Sequence, residues 1–326
     1  MATTTQTSTA GVDRFADLHQ ALTANMASVI HGKSEAVDLV VLCLIAEGHL
    51  LVEDVPGVGK TTLAKALAQS IDAPFGRIQF TPDLLPTDVV GVSVWDRSNN
   101  RFEYRPGPVF NGIVLADEVN RASPKTQSAL LEAMAERQVT VDGLTHKLPS
   151  PFMVVATQNP TDHEGTYPLP ESQLDRFLMR ISVGYPGRDA EIAILQDPDA
   201  GAVAGRLDPV LAISQVNGLI AAARTVHLAP ALQGYLVDLA DASRHHPSVS
   251  IGISPRATLA LQRACRARAA SRGRSYVVPD DVKELAEPVL AHRLRLTPEA
   301  NVGGTRSAEV IADLLARVPV PAAEQP

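Results

Sequence analysis

The chain has 326 residues and a mass of 34.6 kDa, which fits one large domain or two smaller ones. Hydrophobic residues make up 45% of it and charged residues 20%, as is typical of a globular protein with a substantial core. The net charge of −7 and the aromatic content of 4% argue against a generally basic nucleic-acid surface and against a stacking platform for single strands.

Neither the ends nor the cysteines indicate export or membrane insertion. Residues 1–11 are rich in Thr and Ser and lack the basic start and apolar core of a signal peptide. The longest apolar stretch, residues 37–46, is too short to span a bilayer. Cys43 and Cys265 are expected to be buried thiols in a reducing compartment. We therefore expect a cytoplasmic protein with disordered ends at residues 1–11 and 318–326.

Helices and strands are predicted to alternate through the first part of the chain. Helical periodicity begins near Asp13, and a second helix is expected from Ser34 to Glu47, ended by Gly48. Strands are predicted over residues 49–52, 77–80, 113–116, 152–156 and 180–183. Helices are predicted over residues 60–70, 124–137 and 171–177. This alternation predicts a parallel sheet covered by helices.

Two hairpins interrupt the alternation, and the strands then cease. Residues 92–94 and 102–104 flank a polar turn, and residues 139–141 and 144–146 flank Asp142-Gly143, a strong two-residue hairpin signal. Residues 188–317 are predicted to form helices only. We place the domain boundary near residues 184–187, which divides the chain into a core of residues 12–186 and a helical lid of residues 187–317.

A glycine-rich turn between a predicted strand and a predicted helix is the strongest chemical signal. Backbone N–H groups in such a turn, together with the helix N-terminus, attract phosphate oxygens. Lys60 can reach the β and γ phosphates, and the Thr61 hydroxyl can ligate Mg²⁺. The strict pattern requires glycine at position 54, where we expect Asp54 to be tolerated because aspartate accepts unusual backbone angles. The predicted nucleotide-binding residues of this turn are Asp54, Val55, Pro56, Gly57, Val58, Gly59, Lys60, Thr61 and Thr62.

Polar residues follow two further apolar strands. Asp117 and Glu118 end the strand that begins at residue 113, at the sheet edge where α/β folds bind ligands. Asp117 is expected to hold Mg²⁺ with Thr61, and Glu118 to polarise the water that attacks the γ-phosphate. Asn159 follows another strand, and its amide can bind that water or the phosphate.

Three arginines are further candidates for a functional role. Arg176 can reach a neighbouring subunit's γ-phosphate as an arginine finger, although the residues alone favour a surface pair with Asp175. Ser254 and Pro255 predict a helix start, so Arg256 lies in a first turn, where the helix dipole disfavours a cation unless an anion binds nearby. Arg121 is either an interface residue or a helix cap.

The ordered motif set resembles that of MoxR-type AAA+ ATPases over about residues 15–315. The matching segments are residues 60–61, 79–86, 116–121, 124–134, 164–171, 174–177 and 254–256, with Asn159. The resemblance implies a P-loop AAA+ core with a helix-2 insert at residues 91–104, a pre-sensor-1 hairpin at residues 139–146 and a helical lid. It assigns Walker A to Lys60 and Thr61, Walker B to Asp117 and Glu118, sensor 1 to Asn159, an arginine finger acting in trans to Arg176, and sensor 2 to Arg256.

The resemblance also implies an activity and partners. Such proteins bind ATP and Mg²⁺, form hexameric rings, and remodel or activate partner proteins, often ones with von Willebrand factor A domains. Some assist metal-cofactor insertion. ATP is expected to bridge the core, its own lid through Arg256, and the next subunit through Arg176. The alternatives are the motor subunit of a metal chelatase and a DNA-acting AAA+ ATPase, and the sequence pI of 5.7 argues against a nucleic-acid partner.

Overall fold

The computed structural model describes residues 6–159, 166–196 and 207–321. Its strands are β1 (Leu50–Glu53), β2 (Phe75–Gln79), β3 (Gly91–Asp96), β4 (Arg101–Pro106), β5 (Ile113–Asp117), β6 (Gln138–Val141), β7 (Leu144–Lys147), β8 (Met153–Gln158), β9 (Met179–Ile181), β10 (Val249–Ile251) and β11 (Arg295–Leu296). Five of them form a parallel sheet in the order β2-β5-β8-β1-β9. The predicted parallel sheet is therefore confirmed.

The helices cover both faces of this sheet and form most of the C-terminal region. They are α1 (Gln6–Ala27), α2 (Ser34–Ile45), α3 (Lys60–Ser70), α4 (Pro86–Val90), α5 (Pro124–Glu136), α6 (Glu171–Leu174), α7 (Arg188–Gln196), α8 (Ile213–Thr225), α9 (Pro230–Arg244), α10 (Pro255–Ser271), α11 (Pro279–Leu290), α12 (Pro298–Val302) and α13 (Ser307–Arg317). Helix α10 begins as predicted, with Pro255 in its first turn and the Ser254 hydroxyl accepting a hydrogen bond from the Ala257 N–H at 3.1 Å.

Strand alternation divides the core between the two faces of the sheet. In β1, Leu50 and Val52 belong to one buried cluster and Leu51 to the other. The first cluster contains residues of α1, α2 and α3 and continues into the C-terminal helices, where α10 packs against α1, α2, α8 and α11. The second contains residues of α5, such as Leu130. Because these strands are covered on both sides, they consist of continuous apolar runs.

The C-terminal region is helical as expected, apart from one small sheet that the sequence analysis did not predict. Strands β10 and β11 pair antiparallel. They are only three and two residues long and lie far apart in the chain. Neither is long enough to show the alternating hydrophobic pattern by which a strand is predicted from sequence.

The expectation of disorder at the two ends does not hold for residues 6–11 or for Val318. Helix α1 begins at Gln6 rather than near Asp13, because a helix fixed by buried residues such as Phe15 and Leu22 extends readily into a segment without proline. Val318 is buried against the core, so the chain stays packed just beyond α13. Residues 1–5 and 322–326 lie outside the described ranges.

The two predicted hairpins are present and touch each other. Strands β3 and β4 pair antiparallel, as do β6 and β7. The rings of Tyr104 and His146, one from each hairpin, stack with centroids 4.1 Å apart. Trp95 and Phe102 form an edge-to-face pair on the first hairpin and remain 46% and 70% exposed. Within the described ranges, no helix is long and apolar enough to cross a membrane.

Candidate functional site

The glycine-rich turn joins β1 to α3 through two residues with left-handed backbone angles. Gly57 and Gly59 both have a φ of +87°, in the left-handed region that favours glycine. A Cβ on either residue would meet nothing within 4 Å, so backbone conformation rather than space requires glycine there. The first turn of α3 contains no acidic residue, which leaves the partial positive charge of the helix N-terminus available to an anion.

The side chains of the turn differ in how deeply they are buried. Val58 is buried and anchors the turn in the core, whereas Pro56 is exposed. Lys60 is half-buried, and its Nζ donates a hydrogen bond to the backbone carbonyl of Asp54 at 2.8 Å. Thr61 and Thr62 are also half-buried. Lys60, Thr61 and Thr62 therefore keep part of their surface accessible at the turn.

Asp54 occupies the glycine position for a different reason from the expected one. Its φ is not positive, so tolerance of unusual backbone angles does not explain it. The residue is only 8% exposed, and its carboxylate accepts hydrogen bonds from residues that follow β9. The side chain is therefore an internal link.

The two predicted carboxylates lie at the carboxyl end of β5, held by neighbouring strands. The Oδ1 and Oδ2 of Asp117 accept hydrogen bonds from the Thr157 hydroxyl at 2.6 Å and from Arg77 at 2.7 Å. Glu118 has a φ of 56°, and its Oε2 accepts from Arg121 at 3.0 Å and from Gln79 at 3.2 Å. The Arg121 contact is an ion pair with Glu118, a partner that neither sequence interpretation of Arg121 included.

Three of these partners were not predicted as functional residues. Arg77 and Gln79 lie on β2, and Gln79 is directly paired with Asp117 across the sheet. Thr157 is completely buried on β8, and its Oγ accepts from the Glu118 N–H at 2.8 Å. Only the strand order brings these residues to the carboxylates. Polar residues near the ends of β2 and β8 are the one sequence signal that points to them.

Asn159 is brought to the same edge of the sheet. It directly follows β8, which lies between β5 and β1, and it is buried. The carbonyl of the preceding residue, Gln158, accepts a hydrogen bond from the Asp54 N–H at 3.1 Å. The phosphate turn, the carboxylate pair and Asn159 thus follow three adjacent strands, β1, β5 and β8.

A cavity of about 700 Å³ lies at the carboxyl ends of β1 and β9, bordered by Glu53 immediately before the turn but not by the turn itself, and its volume is within the usual range for small-molecule sites. Its walls include Lys33, Glu53, Ser182, Arg268 and Glu284, which come from the start of α2, the ends of β1 and β9, and helices α10 and α11. We call it the loop cavity.

Arg176 and Arg256 lie together at the opposite edge of the sheet, where the amino-terminal ends of β1 and β9 meet. The Arg256 Nε is 3.9 Å from the Asp175 carboxylate, and Arg176 donates to the Leu131 carbonyl at 2.8 Å. Asp175 also pairs with Arg293 at 3.4 Å, so its ion pairs are not with its sequence neighbour. A cavity of about 330 Å³ there, the arginine cavity, has walls that include Arg137, Arg176, Arg224, Arg256, Arg263 and Arg293, with Glu47 and Asp175 as their acidic counterparts.

The position of Arg256 contradicts the expectation that it contacts the nucleotide of its own subunit. Gly48 and His49 precede β1 and line the arginine cavity, whereas the phosphate turn follows β1, roughly 13 Å further along a strand of this length. Helix α10 runs from Arg256 at the arginine cavity to Arg268 at the loop cavity, about 18 Å away. Arg268, rather than Arg256, is the arginine of α10 that approaches the loop cavity.

Burial keeps the histidines near the arginine cavity neutral. Burial lowers the pKa of His49 to about 4, and its ring bonds the Val154 N–H and the Met134 carbonyl. Burial also lowers the pKa of His292 to about 3, and Arg293 adds to this effect. The Arg293 pKa falls to about 10 because of burial, opposed by Asp175. The cation charge of this edge therefore resides in the arginines at neutral pH.

The donor set at the phosphate turn suits Mg²⁺. Magnesium prefers oxygen ligands and is commonly bound by one or two carboxylates together with phosphates and water. The Asp117 carboxylate and the Thr61 hydroxyl supply such oxygens, and among the described residues no cluster of three or more His, Cys, Asp or Glu side chains forms a dedicated metal cage.

Comparisons with known proteins agree with this geometry. Residues 49–179 match the family described as "ATPase family associated with various cellular activities (AAA)", and residues 241–314 match the "AAA lid domain". The chain is 42% identical to "Chaperone MoxR1" of Mycobacterium tuberculosis, over 90% of this chain and 80% of that protein. It is 48% identical to "Uncharacterized protein YeaC" of Bacillus subtilis, over 94% and 96%.

A solved structure shows the same fold. The crystal structure of a proposed ATPase from Cytophaga hutchinsonii superposes with a TM-score of 0.90 at 34% identity, covering 97% of this chain and 98% of that one. With a relative named MoxR1 matched over most of both chains, the protein belongs to the MoxR family of AAA+ ATPases.

Proposed function

We propose that this protein hydrolyses ATP with Mg²⁺ and uses the reaction for chaperone-like remodelling, assembly or activation of partner proteins. The observation that carries the proposal is the convergence of the phosphate turn, Asp117, Glu118 and Asn159 at one edge of the sheet. The turn's amides and Lys60 would bind the phosphates. Thr61 and Asp117 would hold Mg²⁺, which supplies positive charge to the phosphate oxygens.

Glu118 is the proposed general base. Its Oε2 would accept a proton from the attacking water while the Asn159 amide orients that water or the γ-phosphate. In the described conformation the same oxygen accepts from Arg121 and Gln79. Glu118 must therefore exchange at least one of these partners for water before it can act as a base.

We further propose a homo-hexameric ring. The phosphate turn and the arginine cavity lie at opposite edges of the sheet, as a head-to-tail ring requires, because each interface then joins one subunit's turn to its neighbour's arginines. Arg176 and Arg256 would both act in trans, each stabilising negative charge on the neighbour's γ-phosphate. In the described conformation Arg176 donates to the Leu131 carbonyl and its Nε is buried without an acceptor among the described residues, so the side chain would have to turn outward to bind such a ligand.

The proposed partner is a protein rather than a nucleic acid. The name of the relative Chaperone MoxR1 and the exposed Trp95 and Phe102 favour a protein client, with a von Willebrand factor A domain as the leading candidate. The net charge of −7 disfavours DNA. A chelatase-type motor remains the alternative, distinguished by turnover that requires a tetrapyrrole and a second subunit. The two free, buried thiols fit a reducing compartment such as the cytoplasm.

The test combines turnover, assembly and client capture. Wild-type protein should hydrolyse ATP in the presence of Mg²⁺ and form a ring-sized species with a non-hydrolysable ATP analogue, as measured by light scattering. Glu118→Gln should bind ATP without hydrolysing it and retain clients in a pull-down, while Lys60→Ala, deprived of phosphate binding, serves as the matched control. Specific recovery of a von Willebrand factor A protein supports the proposal, and recovery of nucleic acid alone contradicts it.

A further inference from the structure

The carboxylate of Asp54 joins the phosphate turn to the segment that follows β9. Its Oδ2 accepts hydrogen bonds from the Val183 N–H at 2.5 Å, the Gly184 N–H at 2.6 Å and the Ser182 hydroxyl at 3.1 Å. Its Oδ1 accepts from the Val55 N–H at 3.2 Å. Three of the four donors thus belong to consecutive residues outside the turn. Hydrogen bonds to a charged acceptor are among the stronger ones in proteins.

The segment that Asp54 holds leads from the sheet to the C-terminal helices. Residues 182–187 connect β9 to α7, and the chain turns at Gly184, which has a φ of +66°. A second bond fixes the segment one residue later, because the Lys33 Nζ donates to the Tyr185 carbonyl at 2.6 Å. The direction in which the chain leaves the sheet is therefore set by Asp54 on one side and Lys33 on the other.

The backbone of Asp54 contacts the ammonium group of Lys60, which is expected to bind phosphate. The Asp54 carbonyl accepts the hydrogen bond from the Lys60 Nζ, while the Asp54 N–H donates to the Gln158 carbonyl of β8. Phosphate binding would draw the Lys60 ammonium toward the phosphate oxygens and weaken its bond to Asp54. One residue thus touches the phosphate-binding lysine with its main chain and the connection to the lid with its side chain.

We propose that Asp54 is a positioning residue that couples occupancy of the phosphate turn to the orientation of the lid connection. This inference rests on the proposed ATPase function and deepens it. A glycine at this position, as the strict phosphate-loop pattern has, would leave the Val183 and Gly184 amides without this acceptor. In this chain the turn and the lid connection are joined directly, so a change at Lys60 is passed to residues 182–184 through a single residue.

The test replaces Asp54 with glycine, which restores the strict loop pattern and removes the side-chain hydrogen bonds to residues 182–184 and to the Val55 N–H. Hydrogen exchange of the Val183 and Gly184 amides should accelerate about tenfold or more without nucleotide, since a charge-assisted acceptor is lost. ADP affinity should stay within about threefold, because backbone amides and Lys60 provide phosphate binding, while kcat should fall about fivefold at unchanged KM. Asp54→Asn keeps one acceptor oxygen and should restore most of the protection. Asp72→Asn, a change to an exposed acid beyond α3, is the matched control.

Several outcomes would overturn the proposal. Asp54→Gly with wild-type exchange at residues 183–184 would show that the link does not hold the connection. Loss of ADP binding in a folded Asp54→Gly protein would show that the side chain serves the turn alone. If that variant fails to fold, Asp54→Ala removes the same acceptor without the added backbone freedom of glycine, and wild-type exchange at residues 183–184 would refute the link. Failure of the wild type to hydrolyse ATP would refute the proposed function instead, and the nucleotide-free exchange comparison would still decide whether Asp54 holds the lid connection.

Discussion

Replacing Arg256 with alanine tests whether the arginine cavity completes the nucleotide site of a neighbouring subunit. The structure places Arg256 3.9 Å from Asp175 and at the edge of the sheet away from the phosphate turn. A cis role would require α10 to reverse its direction, whereas a trans role requires only a head-to-tail neighbour. We expect Arg256→Ala alone to lower kcat by roughly 10²–10³-fold, the usual cost of one lost group that stabilises transition-state charge.

Mixed rings make the distinction quantitative. Lys60→Ala inactivates a subunit's own turn but leaves its arginines intact, and Arg256→Ala does the reverse. In an equal mixture, about a quarter of head-to-tail interfaces join an intact turn to an intact arginine, so ATPase activity should return to about a quarter of the wild-type rate. The assay is steady-state phosphate release after the two inactive variants are mixed under exchange conditions, with each variant alone as the control. Activity that stays at the level of the separate variants, in rings shown to have exchanged subunits, would refute the trans assignment.

Three further perturbations follow from the site and its surroundings. Glu118→Gln should lower kcat by about 10²–10⁴-fold with ATP affinity within a few-fold of wild type, as measured by equilibrium titration; rapid turnover would remove Glu118 as the base. The free energy of unfolding should be highest above the ordinary histidine pKa of 6.5 and fall as the pH drops toward the folded pKa values of His49 and His292, about 4 and 3. In this pH range the two histidines bind protons in the unfolded chain but not in the folded protein, which lowers the free energy of unfolding by up to about 1.4 kcal/mol per pH unit for each ring. An equal free energy of unfolding in urea near pH 7 and near pH 5 would contradict this. Asp281→Asn breaks the ion pair that completely buried Asp281 makes with Arg274 at 2.6 Å and should cost roughly 3 kcal/mol, and an unchanged thermal midpoint would count against a structural role for that pair.

Local patterns predicted the parts of the site that depend on single strand ends. The phosphate turn, Asp117, Glu118 and Asn159 each follow an apolar strand, and parallel strands bring their carboxyl ends to one edge. The alternation of strands and helices predicted the parallel sheet for the same reason. These features require no knowledge of which strands are neighbours.

Features that depend on strand order or helix direction could not be predicted from the sequence. Gln79 reaches Glu118 only because β2 pairs with β5, and Thr157 reaches it only because β8 is the next strand. The resemblance placed Arg256 at the nucleotide of its own subunit, whereas the sequence indicates where α10 begins but not where it points. The direction of α10 is set by its packing against α1, α2, α8 and α11. The hydrogen bonds of Asp54 to residues 182–184 were not predicted, because an aspartate in place of the pattern's glycine suggests only that the backbone there accepts a non-glycine residue.

The exposed hairpin of β3 and β4 contains the only tryptophan of the chain, Trp95. Its indole is 46% exposed and rests against Phe102, so its emission depends on the solvent and ring contacts of that hairpin. Intrinsic fluorescence excited at the red edge of protein absorption therefore reports on this one structure, without labelling. Because Tyr104 stacks on His146, a shift in emission on adding nucleotide or client would record movement of the two joined hairpins while the remainder of the protein stays spectroscopically silent.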